Sequence, residues 1–174
     1  MRWALALLAA LPAVTSAEAR VVSTAANGFE VAETVVIAAS PDTVYTQLIR
    51  PGRWWSSDHT YSGDAANMRL DAKAGGCFCE RIPKGGGSIE HGRIVYAQPG
   101  QALRLRGGLG PLQGEGADGA LTWTLRSVGG ATELNQSYVV GGYIRGGAEA
   151  MAPLVDTVLS EQLRRLKAHI EKPR

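Results

Sequence analysis

The sequence has little of what would announce a function. Its two cysteines, Cys77 and Cys79, stand alone among 174 residues. A Cys-x-Cys with no second pair lacks the four-ligand spacing of a structural zinc site, and no metal is expected. There is no basic run, and the net charge is only +2, so the electrostatic footprint of a nucleic-acid partner is missing. Glycine-rich residues 107–119 have neither the Gly-Lys-Ser/Thr end of a phosphate-binding loop nor the strand-to-helix setting of a dinucleotide fingerprint. No cofactor is implied. The longest apolar stretch, Trp3 to Val14, is shorter than the roughly 20 residues of a spanning helix, so no stable membrane insertion is expected. No internal repeat and no linker divides the chain. Its apolar fraction of 45% and charged fraction of 20% suit one ordinary globular domain.

What is present begins with a leader. Arg2, the apolar run and the small residues of Thr15-Ser16-Ala17 and Ala17-Glu18-Ala19 have the form of a cleavable signal peptide. Residues 1–19 are therefore expected to be removed, leaving a periplasmic or secreted protein. Residues 20–28 read as a flexible entry to a single domain over 29–172.

In that setting the cysteines matter. Cys77 and Cys79 would project from one face of an extended strand, with Cα atoms roughly 6.5–7 Å apart, at or beyond the reach of a relaxed disulfide. An intrachain bridge is not expected. Two small buried apolar residues, a redox-active or metal-binding pair, and a disulfide between chains remain open.

The period of the apolar residues assigns the elements. Phe29 to Ala38 is β-branched and alternating, a strand. Ser40-Pro41-Asp42 supplies an N-cap serine and a first-turn proline for a short helix carrying Val44, Tyr45, Leu48 and Ile49. Arg53-Trp54-Trp55 after Pro51-Gly52 predicts a second short helix or turn, and residues 56–67 a polar surface connection. Alternation then predicts strands at 68–73, 76–82, 88–97, 101–107, 120–127 and 132–140, separated by Gly-rich or Pro-Gly breaks as in an antiparallel meander. Residues 107–119 are a long loop, fit for a lid or rim. Finally Met151, Leu154, Val155, Val158, Leu159, Leu163, Leu166 and Ile170 recur at spacings of three and four, one face of a helix. Pro153 places its start near Met151. Seven antiparallel strands curved around this helix make an α+β helix-grip fold.

The order of elements and several local words resemble the START/SRPBCC superfamily, in its polyketide cyclase/dehydrase and chaperone-ATPase-activator-homologue branch, related to the birch-pollen allergen. The words are Ser40-Pro41-Asp42-Thr43-Val44-Tyr45, Pro51-Gly52-Arg53-Trp54-Trp55, Ala74-Gly75-Gly76-Cys77-Phe78, the strand pair at 91–105, and Val155-Asp156-Thr157-Val158-Leu159. The resemblance implies a hydrophobic cavity between sheet and last helix, able to hold lipids, polyketides or aromatic compounds. A shared fold does not fix the reaction.

Three functions follow. The first is an exported carrier of a small hydrophobic molecule. The second is a cyclase or dehydratase on a polyketide-like or aromatic substrate. The third is a protein-interaction module. Expected ligand contacts are Leu105, Trp123, Gln136, Tyr138 and Leu159 inside, with Trp54, Trp55, Tyr143 and the Leu109–Leu112 loop at the entrance. Catalysis would need titratable groups converging in the cavity. In 88–97, Ile89, His91, Arg93 and Val95 form one face and Glu90, Gly92, Ile94 and Tyr96 the other. If the first faces inward, His91 can meet Glu80 as a general base, or Cys77 and Cys79 as the partner of a nucleophile.

Overall fold

The structure, a computed structural model, describes residues 20–173. The expected leader lies outside the described residues. Eight strands form one antiparallel sheet: β1 (Arg20–Ala25), β2 (Gly28–Ile37), β3 (Met68–Leu70), β4 (Cys77–Ile82), β5 (Gly87–Gln98), β6 (Ala102–Arg106), β7 (Gly116–Val128) and β8 (Ala131–Tyr143). Their spatial order is β1-β2-β8-β7-β6-β5-β4-β3. The chain crosses once from β2 to the far edge, through α1 (Pro41–Leu48) and short turns, then meanders back until β8 pairs with β2. α2 (Ala148–Glu171) closes the chain. This is the helix-grip architecture.

Three expectations need correction. The sheet has eight strands, because residues 20–25 are paired with β2 and are not a flexible entry. Val21, Val22 and Thr24 favour a pleated backbone, and the pairing covers an otherwise open edge of β2. The long loop is also shorter than expected, since β7 begins at Gly116, after a 3-10 turn over Gly110–Gly114. Lastly, α2 starts at Ala148, so Pro153 sits inside the helix. A proline there removes the hydrogen bond to the carbonyl of Glu149. Pro153 is exposed, so the defect falls on the solvent side.

Ser40 caps α1 as its residue type demands: the Thr43 amide donates to Ser40 Oγ at 3.4 Å, with Pro41 at the first helical position. Along α2, Val155, Leu159, Leu163 and Leu166 are buried in one stripe, each contributing roughly 1.5–3 kcal/mol relative to exposure. They meet a core that includes Ile37, Leu103, Leu105, Leu121 and Leu134, all fully buried. A buried polar bridge ties helix to sheet, besides the exposed hydrogen bond that Lys167 Nζ donates to the Val36 carbonyl at 2.6 Å. Trp123 Nε1 donates to Gln136 Oε1 at 2.8 Å, and Gln136 Nε2 donates to the Leu159 carbonyl at 3.1 Å.

Candidate functional site

A cavity of about 370 Å³ opens between α2 and the β4–β5 side of the sheet. α2 provides Leu154, Val155, Val158 and Leu159, the sheet Phe78 and His91, and two connections Trp55, residues 58–61 and residues 109–111. The walls are mainly apolar, as small-molecule sites usually are. The interior of the fold is thus not filled.

His91 borders this cavity at an irregularity in β5. Opposite β4, Phe78 pairs with Gly92 but Cys79 pairs with Glu90, leaving His91 as an extra residue. A bulge of this kind shifts the phase of the alternation. His91 and Gly92 are both buried, while Arg93 points outward. A second shift lies opposite β6 at Val95, and there Val95 and Tyr96 are both exposed. Neither face of 88–97 is therefore the inner one along its whole length. His91 and Ile94, from opposite faces of a regular strand, both point inward.

On β4, Glu80 is the buried neighbour of His91. His91 Nε2 lies 3.0 Å from Glu80 Oε2, and both side chains are almost completely enclosed. Glu80 also accepts the backbone amides of Tyr61, at 3.1 Å, and Ser62. Burial pushes the Glu80 carboxyl upward, but its hydrogen bonds from Ser62, Tyr61 and His91 outweigh this and hold it below the ordinary carboxylate range. Burial likewise drives His91 below its ordinary value, against the pull of Glu80. At neutral pH the pair is a carboxylate and a neutral imidazole that donates from Nε2. The lone pair then sits on Nδ1, which has no protein partner among the described residues. Phe78 packs beside the imidazole, ring centroids 5.0 Å apart, and Trp55 meets Phe78 at 5.7 Å.

The other expected contacts divide. Trp55 and Leu159 line the cavity, as do Leu109 and Pro111 of the loop. Trp54 is buried, and its Nε1 donates to the Gln47 carbonyl at 3.0 Å. Leu105, Trp123, Gln136 and Tyr138 fill the core elsewhere instead of lining this cavity. The two core hydrogen bonds of Gln136 show why: its amide is consumed between Trp123 and α2. Tyr138 donates to the Gly107 carbonyl at 2.6 Å and accepts the Leu109 amide at 3.0 Å, so it anchors the loop from behind. Tyr143 is 73% exposed, away from the lining.

The cysteines correct another expectation. Cys77 and Cys79 form an intrachain disulfide, with Cα atoms 5.4 Å apart. The strand is drawn in below its extended spacing opposite the His91 bulge, bringing the pair within disulfide reach. Both point away from the cavity, since the inward members of β4 are Phe78 and Glu80, so neither acts with His91. Phe78 belongs to one of the family-like words of the sequence but carries no sign there of its place in the cavity wall. The Tyr61 and Ser62 amides carry none because backbone donors leave no residue signature.

Residues 28–171 match the family model described as polyketide cyclase / dehydrase and lipid transport. Among solved structures, CV1439 from Chromobacterium violaceum is 21% identical, with a TM-score of 0.55 over 83% of this chain and 98% of that one. CalU16 from Micromonospora echinospora is 18% identical, with a TM-score of 0.57 over 83% and 78%. DynU16, from the dynemicin biosynthetic locus, is 18% identical, with a TM-score of 0.59 over 82% of this chain but 47% of its own. These likenesses establish the fold. No curated protein matches the chain.

Proposed function

The chain belongs to the polyketide cyclase/dehydrase and lipid-transport family, and on that premise we propose that it binds and carries one small, largely apolar molecule in the cavity beside α2. The observation behind this reading is the lining itself: apolar side chains of α2, Phe78, Trp55 and Leu109 surround the buried His91, which Glu80 backs from behind, while Asp58, His59 and Thr60 supply a polar border. A volume of about 370 Å³ lies toward the small end for ligand sites. It suits a compact ring system or a short acyl chain better than a two-chain lipid. His91 Nδ1 would accept a hydrogen bond from a ligand hydroxyl and fix its orientation. The test is native mass spectrometry of protein purified from its host, followed by organic extraction. An apolar molecule released in equal amount to the protein supports the reading. Its absence, together with failure of small aromatic and acyl probes to bind at micromolar concentration, overturns it.

A second reading, a cyclase- or dehydratase-type enzyme, draws on one observation. His91 is the buried ionisable side chain of the lining, held neutral and oriented by a carboxylate, as a general base must be. Under this reading His91→Gln retains ligand and abolishes turnover.

We extend the proposal to the place of action, outside the cytoplasm. The leader-like residues 1–19 support it, as does the Cys77–Cys79 disulfide, because such bonds persist in oxidising compartments. N-terminal sequencing of the protein from a periplasmic fraction tests this: an intact Met1 would contradict it.

A further inference from the structure

We propose that the Cys77–Cys79 disulfide is a thiol–disulfide exchange site that takes an anionic low-molecular-weight thiol in the arginine-lined groove beside Cys79. The bond joins two residues of one strand. In the chain-entropy model, stabilisation grows with the length of the loop closed, and this loop is nearly the shortest possible. The bridge therefore adds little to the fold by that route, and its chemistry becomes the issue. Both cysteines are only half-buried and lie on the outer face of the sheet.

That face offers a recess of about 480 Å³, bordered by Asn67, Arg69, Cys79, Arg81 and Ser88. Arg69 stands directly opposite Cys79 in the β3–β4 register. Arg81 follows two residues along β4, on the same face. Arg69 has no ion-pair partner among the described residues, and Arg81 makes only a 3.3 Å hydrogen bond to Asn67 Oδ1. Two exposed guanidinium groups beside an accessible sulfur favour a thiol that carries carboxylates. On the other side, Cys79 stands opposite Glu90 and Cys77 opposite Arg93. The Glu90 carboxylate lies within 4.8 Å of both sulfurs and is ion-paired with Arg93, which offsets its charge there.

The step balances as follows. The incoming thiolate attacks Cys79 Sγ and forms a mixed disulfide there. The Cys77–Cys79 bond breaks, its electron pair leaves on Cys77 Sγ beside Arg93, and the thiolate takes a proton from water. A second thiolate attacks the sulfur of the bound small molecule, releases Cys79 as a thiolate and departs as the small-molecule disulfide. Two thiols are oxidised and the cysteine pair is reduced.

The experiment measures reduction of the folded, full-length protein by reduced glutathione, which is anionic, and by cysteamine, which is cationic. The two are compared at equal thiolate concentration, and acid-quenched samples are read by intact mass after alkylation. Glutathione is expected to react about tenfold faster, the scale of electrostatic steering. Arg69→Gln with Arg81→Gln should erase that preference without slowing cysteamine. In Cys77→Ser, oxidised glutathione should leave its adduct on Cys79. Equal rates for the two thiols, a preference that survives loss of both arginines, or reaction only after addition of urea would each overturn the proposal.

Discussion

His91 and Glu80 meet at 3.0 Å across β4 and β5, as diagonal neighbours on one face and not as directly opposed residues. Glu80 stands opposite Ile89, and the extra residue in β5 is His91 itself. His91 keeps the inward phase of Ile89, the bulge lets Ile94 beyond it face inward as well, and the imidazole is seated on the one carboxylate that also holds residues 61 and 62. The loop, the strand edge and the ionisable pair form a single unit. A change to any member should reach the others.

Acidification should destabilise the protein in two stages. His91 sits below its ordinary value of 6.5 when folded, so the unfolded chain takes up this proton first. Its contribution is complete above that value and declines as pH falls through it. Glu80 also lies below its ordinary 4.5, so its contribution is lost at more acid pH, as the folded carboxylate is finally protonated. Denaturant titrations across this range should show a slope approaching about 1.4 kcal/mol per pH unit in the upper stage. His91→Gln should remove the upper stage and retain the lower one.

Glu80→Gln should cost roughly 1–3 kcal/mol, because an amide cannot accept from Tyr61, Ser62 and His91 with the same two oxygens. The loss should concentrate in the loop. Hydrogen exchange at the Tyr61 and Ser62 amides should accelerate more than at β8 amides. Uniform acceleration would argue against a local anchor.

Val158→Trp should close the cavity with little effect on stability, since Val158 is only half-buried and borders open space. Binding of a small aromatic probe, followed by calorimetry, should fall at least tenfold. Retained binding would place the ligand elsewhere.

Tyr138→Phe keeps the ring and removes the hydroxyl that holds Gly107 and Leu109. A loss of roughly 1–3 kcal/mol is expected, with faster exchange of the Leu109 amide. Gly119→Ala attacks the same ring from below, because a Cβ there would overlap the Tyr138 ring. Thermal unfolding should show it to be the more damaging of the two, unless the ring can move aside.

Much of the fold was written locally. Ser40-Pro41 specified its cap, and the three-and-four spacing of Val155, Leu159, Leu163 and Leu166 specified a helix with one buried face. Alternation with glycine breaks specified the meander. These signals are legible because each depends on neighbours within about two turns or one hairpin. The cavity's position was not legible. Trp123, Gln136 and Tyr138 point inward as their alternation requires, but whether an inward side chain fills a core or faces a void depends on how far away the opposite layer stands. The sequence offered His91 with Glu80 only on the condition that one face of 88–97 turned inward, and it argued against joining Cys77 to Cys79. Both outcomes were decided beside a bulge, which adds one unpaired residue, reverses the phase of the strand and leaves no mark in composition. The sequence by itself determined which residues make strands and helices. Only the tertiary structure decided which of them share a site, because that choice depends on register and on the distance between layers.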